Sequence, residues 1–289
     1  MKYINSIVVL LITLTLLSMS CQEDEKPIPC DWLTYNACLW HSTNARDLAI
    51  DIEKGRKGNV SLAPDSLLLI KDTLNSRSLL QLAITKNRFD IARDIVNRVG
   101  TVNDYEGLYG SSAIILAAGN VDGVPLEFFE FLIQNGANIN DQRVGGWYDD
   151  KGLRTTPLYE AVNRGNYPLI DYIIKNGGNL DMFVREDYTP LNLAVFRDMR
   201  VVYMLLEGGL NYEKWGHVSQ RTGKKLNILQ MLRRIVRKPD SREYEWKMKV
   251  VDFLAARGLD YWNEPIPKDI EAKIRREYPK SHQQVLAEY

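Results

Sequence analysis

Two stretches in the middle of the chain have nearly the same sequence. One reads Thr-Pro-Leu-Tyr-Glu-Ala-Val over residues 156–162, and the other reads Thr-Pro-Leu-Asn-Leu-Ala-Val over residues 189–195. Their threonines are 33 residues apart, and each stretch is followed by an apolar run and a Gly-Gly pair, at 177–178 and 208–209. Repetition at a fixed period of this length is typical of folds in which each unit stacks on its neighbours.

Each repeated unit carries the signals of two short helices. Thr156 is a good N-cap residue, and Pro157 stands at the first helical position, where its missing N–H costs nothing. Apolar residues three or four positions apart follow on both sides of a turn at 164–168, and Gly177-Gly178 ends the second helix. Two helices this short cannot bury their apolar faces alone, so the unit must stack on copies of itself.

The motif Thr-Pro-Leu-X-X-Ala at a 33-residue period resembles the ankyrin repeat. Weaker copies start at Ser78, Ser112 and Asn227, which makes about five repeats with a degenerate last copy. The resemblance implies an all-α solenoid of stacked helix-turn-helix units over residues 77–262, with long inter-repeat loops. It also implies that the protein binds another protein through a concave face and these loops, without catalysis.

The segments on either side of the repeats are expected to cap the stack, because the terminal units of a solenoid must shield its apolar ends. Residues 30–76 are predicted to form capping helices followed by a connector. The second of these helices is capped at Asn44 and stops at Gly55. At the other end, residues 263–289 are predicted to form a capping helix near Lys268–Glu277 and then a polar tail.

The start of the chain resembles a bacterial lipoprotein signal peptide. Residues 1–20 combine a positive charge, an apolar run too short to span a bilayer and small residues before Cys21. Cys21 is therefore the predicted lipidation site, through which the protein would attach to a membrane. The usual leucine three positions before the cysteine is Ser18 here, so an ordinary secreted protein is the alternative.

Residues 21–29 are predicted to form an acidic, solvated tether. The residue after Cys21 is Gln22 rather than aspartate, which argues against retention in an inner membrane. We therefore expect an outer membrane lipoprotein of a bacterium. Because an acidic run after the cysteine resembles a surface-export signal but also suits a plain linker, both the periplasm and the cell surface remain open.

Cys30 and Cys38 form a candidate disulfide, since the expected compartment is oxidising. On one straight helix, at about 1.5 Å per residue, their Cα atoms would be about 12 Å apart, which is too far for a disulfide. Pairing therefore requires a break in the helix. The alternative is that Cys38 is a small apolar core residue.

Composition and motifs argue against several classes of function. Lys+Arg and Asp+Glu both number 37, so no overall basic charge indicates a nucleic-acid partner. The three histidines are far apart, and the sequence patterns of metalloproteases, serine hydrolases and phosphate-binding loops do not occur. We expect no catalytic residues, no metal and no cofactor; an enzyme with an unrecognised site is the remaining alternative.

Two groups of residues are candidates for binding a partner. Lys86, Arg164 and Arg197 stand at equivalent positions near the ends of first helices. Stacked about 10 Å apart, they would form a positive stripe for an acidic partner, or they would only complement helix dipoles. Aromatic and basic residues of the long loops are of the types that anchor protein interfaces, although the aromatics could instead pack on their own repeats. These loop residues are Trp147, Tyr148, Trp215 and Arg221.

The sequence thus predicts a non-enzymatic scaffold or adaptor of the bacterial envelope that binds another protein. The alternative is an immunity or inhibitor protein that neutralises a toxin or hydrolase in the envelope. A lipid anchor and a groove with variable loops suit either role, because a fold does not identify its partner.

Overall fold

The computed structural model describes residues 40, 43–73, 75–105, 110–143, 154–182, 184, 188–214, 217–218, 223 and 225–289. Within these ranges the chain forms fifteen helices and one pair of two-residue strands. The predicted signal peptide, the lipidation site Cys21 and the candidate disulfide of Cys30 and Cys38 lie outside them.

Twelve of these helices form six consecutive pairs. The pairs are α1 (Arg46–Lys54) with α2 (Lys57–Leu62), α4 (Leu79–Thr85) with α5 (Phe89–Val99), α6 (Ala113–Ala118) with α7 (Leu126–Gln134), α8 (Pro157–Arg164) with α9 (Tyr167–Lys175), α10 (Pro190–Arg197) with α11 (Met199–Glu207), and α12 (Ile228–Leu232) with α13 (Arg242–Ala255). The other elements are α3 (Asp65–Leu68), β1 (His217–Val218), β2 (Lys225–Leu226), α14 (Lys268–Glu277) and α15 (His282–Ala287).

The helix pairs stack side by side in two rows. In the first-helix row, α1 packs on α4, α4 on α6, α6 on α8 and α8 on α10. In the second-helix row, α2 packs on α5, α5 on α7, α9 on α11 and α11 on α13, and Phe129 of α7 meets the ring of Tyr172 in α9 at 6.0 Å. Buried apolar residues from Trp40 to Tyr261 form one continuous core. The predicted all-α solenoid is therefore confirmed.

The two near-identical stretches begin equivalent helices, as the sequence predicts. Thr156 precedes α8, and its hydroxyl accepts a hydrogen bond from the Tyr159 amide at 3.1 Å. Thr189 precedes α10, and its amide donates to the Asn192 side chain at 2.7 Å. Both helices carry proline in the first turn. The helix starts are thus set by local capping, which explains why the sequence alone identifies them.

The N-terminal end differs from the expected capping helices and connector. Residues 57–62 are not a connector but helix α2, which packs on α5 as a second helix of a pair. Gly58 and Asn59 make the segment a poor helix former, but the complete burial of Val60 against the stack overrides that local preference. Helix α1 ends at Gly55 as predicted, but its N-cap residue is Ala45 and not Asn44.

The C-terminal end also departs from the expectation in part. Helix α14 forms where it was predicted, but the expected polar tail contains a further helix, α15, and ends in a buried Tyr289. Val285 and Tyr289 stand four residues apart and pack against Ile270 and Ile274, also four apart, in a small core of their own. Two such pairs on facing surfaces are enough to hold a short helix in place.

Candidate protein-binding surface

The three basic residues of the predicted stripe lie where the repeat register places them. Lys86 follows α4, Arg164 is the last residue of α8, and Arg197 is the last residue of α10. Arg164 and Arg197 are exposed, whereas Lys86 is half-buried. The structure therefore puts all three at the same end of the first-helix row.

Each of these side chains reaches back to the preceding helix of that row. The Arg164 Nε donates to the Gly119 carbonyl at 2.8 Å, just past α6, and the Arg197 Nη1 donates to the Asn163 carbonyl at 2.7 Å, in the last turn of α8. The last carbonyls of a helix lack donors within it and carry a partial negative charge. The arginines therefore complement helix ends, but those of the neighbouring repeat and not their own.

Lys86 is the least available of the three. Its Nζ lies 3.2 Å from the carboxylate of Glu53 in α1, and that carboxylate side chain is only 1% exposed. Arg164 and Arg197, by contrast, each use one of five N–H donors in the bonds described above. Their charges and remaining donors are available at the surface, so the positive stripe is reduced to these two residues.

An exposed aromatic residue accompanies them. Phe196 precedes Arg197 at the end of α10, and 47% of it is exposed. Helices α8 and α10 pack together, so Arg164, Phe196 and Arg197 lie at one end of two adjacent helices; we call them the Arg164–Phe196–Arg197 patch. The sequence analysis missed Phe196, although the register held a signal: the equivalent residue 33 positions earlier is polar Asn163.

The predicted loop residues Trp147, Tyr148, Trp215 and Arg221 lie outside the described residues. The ends of their loops are described. The amide of Arg143 donates to the Thr155 carbonyl at 3.0 Å, which joins the two ends of the insertion between α7 and α8. In the insertion between α11 and α12, β1 and β2 pair antiparallel, with His217 opposite Leu226. Both insertions thus begin and end at paired backbone.

A groove of about 520 Å³ lies on the second-helix row. It is lined by side chains of α9, α11 and α13, among them Tyr167, Tyr203 and Trp246. The sequence analysis did not find it, because each of these residues alone fits an ordinary half-buried helix position. Only the stacking of three separate repeats brings them together.

Comparison with known proteins points to the same architecture. Over 138 residues, 48% of its length, the chain is 28% identical to an ankyrin repeat protein of Fowlpox virus (strain NVSL). The fold is an ankyrin-repeat solenoid. The match spans 36% of the viral protein, so the chain corresponds to about a third of that relative's length. No protein-family model matches the chain.

The most perturbed ionisable group of the solenoid lies away from its open surfaces. Burial lowers the pKa of Lys247 to about 6, and the charges of Arg233 and Arg237 lower it further. Such a shift often marks a functional site. Lys247, however, is fully buried and donates to the Ile235 carbonyl at 3.2 Å, so it contacts no substrate and acts on stability instead.

The described ranges offer little for metal binding or membrane insertion. They contain no group of three or more His, Cys, Asp or Glu side chains placed to hold a metal ion. Within the same ranges, none of the solenoid's helices has both the length and the apolar character that crossing a bilayer requires.

Proposed function

We propose that this ankyrin-repeat solenoid is a non-enzymatic scaffold or adaptor that binds another protein at the Arg164–Phe196–Arg197 patch and the adjoining loops. The observation that carries the proposal is the patch itself, in which two exposed guanidinium groups and one exposed aromatic ring lie on adjacent helices. Arginine and aromatic residues dominate the binding energy of protein interfaces. Proteins built from ankyrin repeats generally bind other proteins and catalyse nothing, which supports the same reading.

The patch is also prepared for binding. The hydrogen bonds of Arg164 to Gly119 and of Arg197 to Asn163 hold both guanidinium groups in place before a partner arrives. Ordering long side chains is one of the free-energy costs of association, so side chains that are already ordered bind more tightly. Neither arginine forms an ion pair with a carboxylate of the described residues. A partner with acidic side chains therefore complements the patch best.

We further propose that the solenoid is attached to a bacterial outer membrane through a lipidated Cys21 and faces the periplasm or the cell surface. Support for this location comes from residues 1–29 of the sequence alone. The acidic tether would hold the solenoid away from the membrane and leave the patch free for a partner in the envelope.

Charge reversal of the patch tests the proposal. A partner is first recovered by affinity capture on residues 22–289, and its affinity for the purified protein is then measured at several salt concentrations. Arg164→Glu combined with Arg197→Glu should weaken binding at least about tenfold, roughly 1.4 kcal/mol, and should reduce its salt dependence. Both changes follow if the arginines attract carboxylates of the partner.

Arg257→Glu is the matched control, because Arg257 is also exposed and also donates to a helix-end carbonyl, that of Phe253 at 2.9 Å. It lies at the end of α13, away from the patch, and its reversal should leave affinity unchanged. Equal affinities for the wild type, the double variant and the control would refute the patch as the binding surface. An activity assay of the captured partner then separates a scaffold, which leaves that activity intact, from an inhibitor.

A further inference from the structure

The groove on the second-helix row has features that the first-helix row does not explain. It runs along α11, with Tyr167 and Asp171 of α9 on one side, Trp246 of α13 on the other, and Tyr203 and Met204 of α11 between them. Its volume of about 520 Å³ falls within the range of sites that bind a ligand or a few side chains, which is about 300–1,000 Å³. It therefore has room for an anchor segment of a partner.

Aromatic rings hold two cations in and beside this groove. The guanidinium carbon of Arg200 lies 4.2 Å from the ring centroid of Tyr167 and 5.7 Å from that of Trp246. The Nζ of Lys249 lies 4.0 Å from the Trp246 ring centroid. The Trp246 ring is itself supported by Tyr203, whose ring centroid is 5.7 Å away. These cation–π contacts fix the positions of both positive charges without neutralising them.

The acidic groups of the groove are already engaged. The carboxylate of Asp171 pairs with Lys175 at 2.7 Å, and that of Glu207 accepts a hydrogen bond from the Tyr203 hydroxyl at 2.6 Å. Asp198, beside the groove, accepts from the Tyr167 hydroxyl and from backbone amides at the start of α11.

The two cations, in contrast, have no ion-pair partner among the described residues. Glu243 is near enough to contribute to the raised pKa of Tyr167, but it forms no ion pair with Arg200 or Lys249 within those residues. The charge that is left unmatched in the groove is therefore positive.

We propose that this groove is a second protein-docking site, which takes a short partner segment that carries an acidic side chain next to an apolar one. The apolar side chain packs on Tyr203, Met204 and Trp246, and the carboxylate reaches the guanidinium group of Arg200 and the amine of Lys249. An arginine stacked on aromatic rings presents its N–H donors in a fixed plane, which suits a carboxylate. The site lies on the opposite row of helices from the Arg164–Phe196–Arg197 patch and does not depend on it.

A random peptide library displayed on phage tests the site without a known ligand. The library is panned on the wild-type protein, with a round of depletion on the Trp246→Ala variant, and the affinities of the enriched peptides are measured by fluorescence anisotropy. Enriched peptides should carry Asp or Glu beside Leu, Phe or another large apolar residue. Changing that acid to its amide should weaken binding at least about tenfold.

Protein variants assign the binding to the groove. Arg200→Gln should weaken peptide binding at least tenfold, and Lys249→Gln, a change of an exposed side chain that leaves the core intact, should weaken it several-fold. Trp262→Ala is the matched control, since Trp262 is a 53% exposed tryptophan that also lies beside an arginine, Arg233, and it should change nothing.

The outcomes are separable from the test of the proposed function. Arg164→Glu with Arg197→Glu should leave peptide binding intact, whereas it weakens the partner of the patch. Enrichment of basic peptides, peptides that bind the Arg200→Gln and Lys249→Gln variants as tightly as the wild type, or no enrichment above a bead control would each overturn the docking site.

Discussion

Replacing Lys247 by methionine should stabilise the C-terminal end of the solenoid and remove a defined part of its pH dependence. The Lys247 Nζ lies 3.6 Å from the ring centroid of Tyr289 and 5.1 Å from that of Tyr261, and the charged groups nearest to it are Arg233 and Arg237. Burial and these two positive charges lower its pKa from 10.5 to about 6. Methionine fills a similar volume without a charge.

The sign and size of the effect follow from this pKa. Between pH 6 and 10.5 the unfolded chain binds a proton at Lys247 that the folded chain does not, so the free energy of unfolding rises with pH. One proton contributes at most about 1.4 kcal/mol per pH unit, or about 2–3 kcal/mol between pH 7 and pH 9. Below pH 6 Lys247 is protonated in both states and contributes no slope.

Tyrosines set the upper limit of the measurement. Burial raises the pKa of both Tyr261 and Tyr289 above the ordinary value of 10.0. A raised pKa of this kind contributes stability that is fully present below pH 10 and is lost above it. Measurements should therefore stay between pH 6.5 and pH 9.5, where the tyrosines contribute no slope of their own.

The assay is urea denaturation of the wild type and of Lys247→Met, followed by tryptophan fluorescence. The difference in the free energy of unfolding between the two proteins should shrink by about 2–3 kcal/mol from pH 7 to pH 9. Lys249→Met, which removes an exposed amine two residues along the same helix, is the control and should run parallel to the wild type. Parallel pH profiles for the wild type and Lys247→Met would refute the reasoning.

Two further predictions concern a helix end and the membrane anchor. A Cβ at Gly178 would lie 2.3 Å from the Ile173 Cγ2 and 2.7 Å from its carbonyl oxygen, so Gly178→Ala should destabilise by about 1–3 kcal/mol in urea denaturation. Gly58→Ala is its control, since that Cβ meets nothing within 4 Å inside helix α2; it should stabilise by up to about 1 kcal/mol, and equal effects of the two changes would contradict the packing at Gly178. Cys21→Ser should move the protein from the membrane to the soluble fraction of cells, and retention in the membrane fraction would rule out lipidation.

The features that the sequence predicts are those with local causes. Thr156 and Thr189 begin their helices through contacts with residues three positions along, so the repeat period and the start of each copy can be read directly. The ends of Arg164 and Arg197 follow from the same register. Their hydrogen-bond partners do not, because Gly119 and Asn163 belong to the preceding repeat.

The features that escape the sequence depend on distant segments. Helix α2 looks like a connector until the packing of Val60 against the stack is known. Tyr289 looks like part of a polar tail, although its ring lies over Lys247, 42 residues earlier. The groove of Arg200 and Trp246 needs three repeats at once. A single sequence shows the pattern of each helix, but it does not show which residues of different helices meet.

Removal of one complete repeat tests the central claim most directly. Deleting residues 156–188, one period of 33 residues, joins Thr155 to Thr189, which caps its helix as Thr156 does now. Because each unit of a solenoid contacts only its neighbours, this variant should keep the helical content per residue and unfold cooperatively in urea, with a lower free energy of unfolding. Deleting half a period, residues 156–171, should abolish the fold. Loss of cooperative unfolding in both variants would contradict the stacked-repeat architecture.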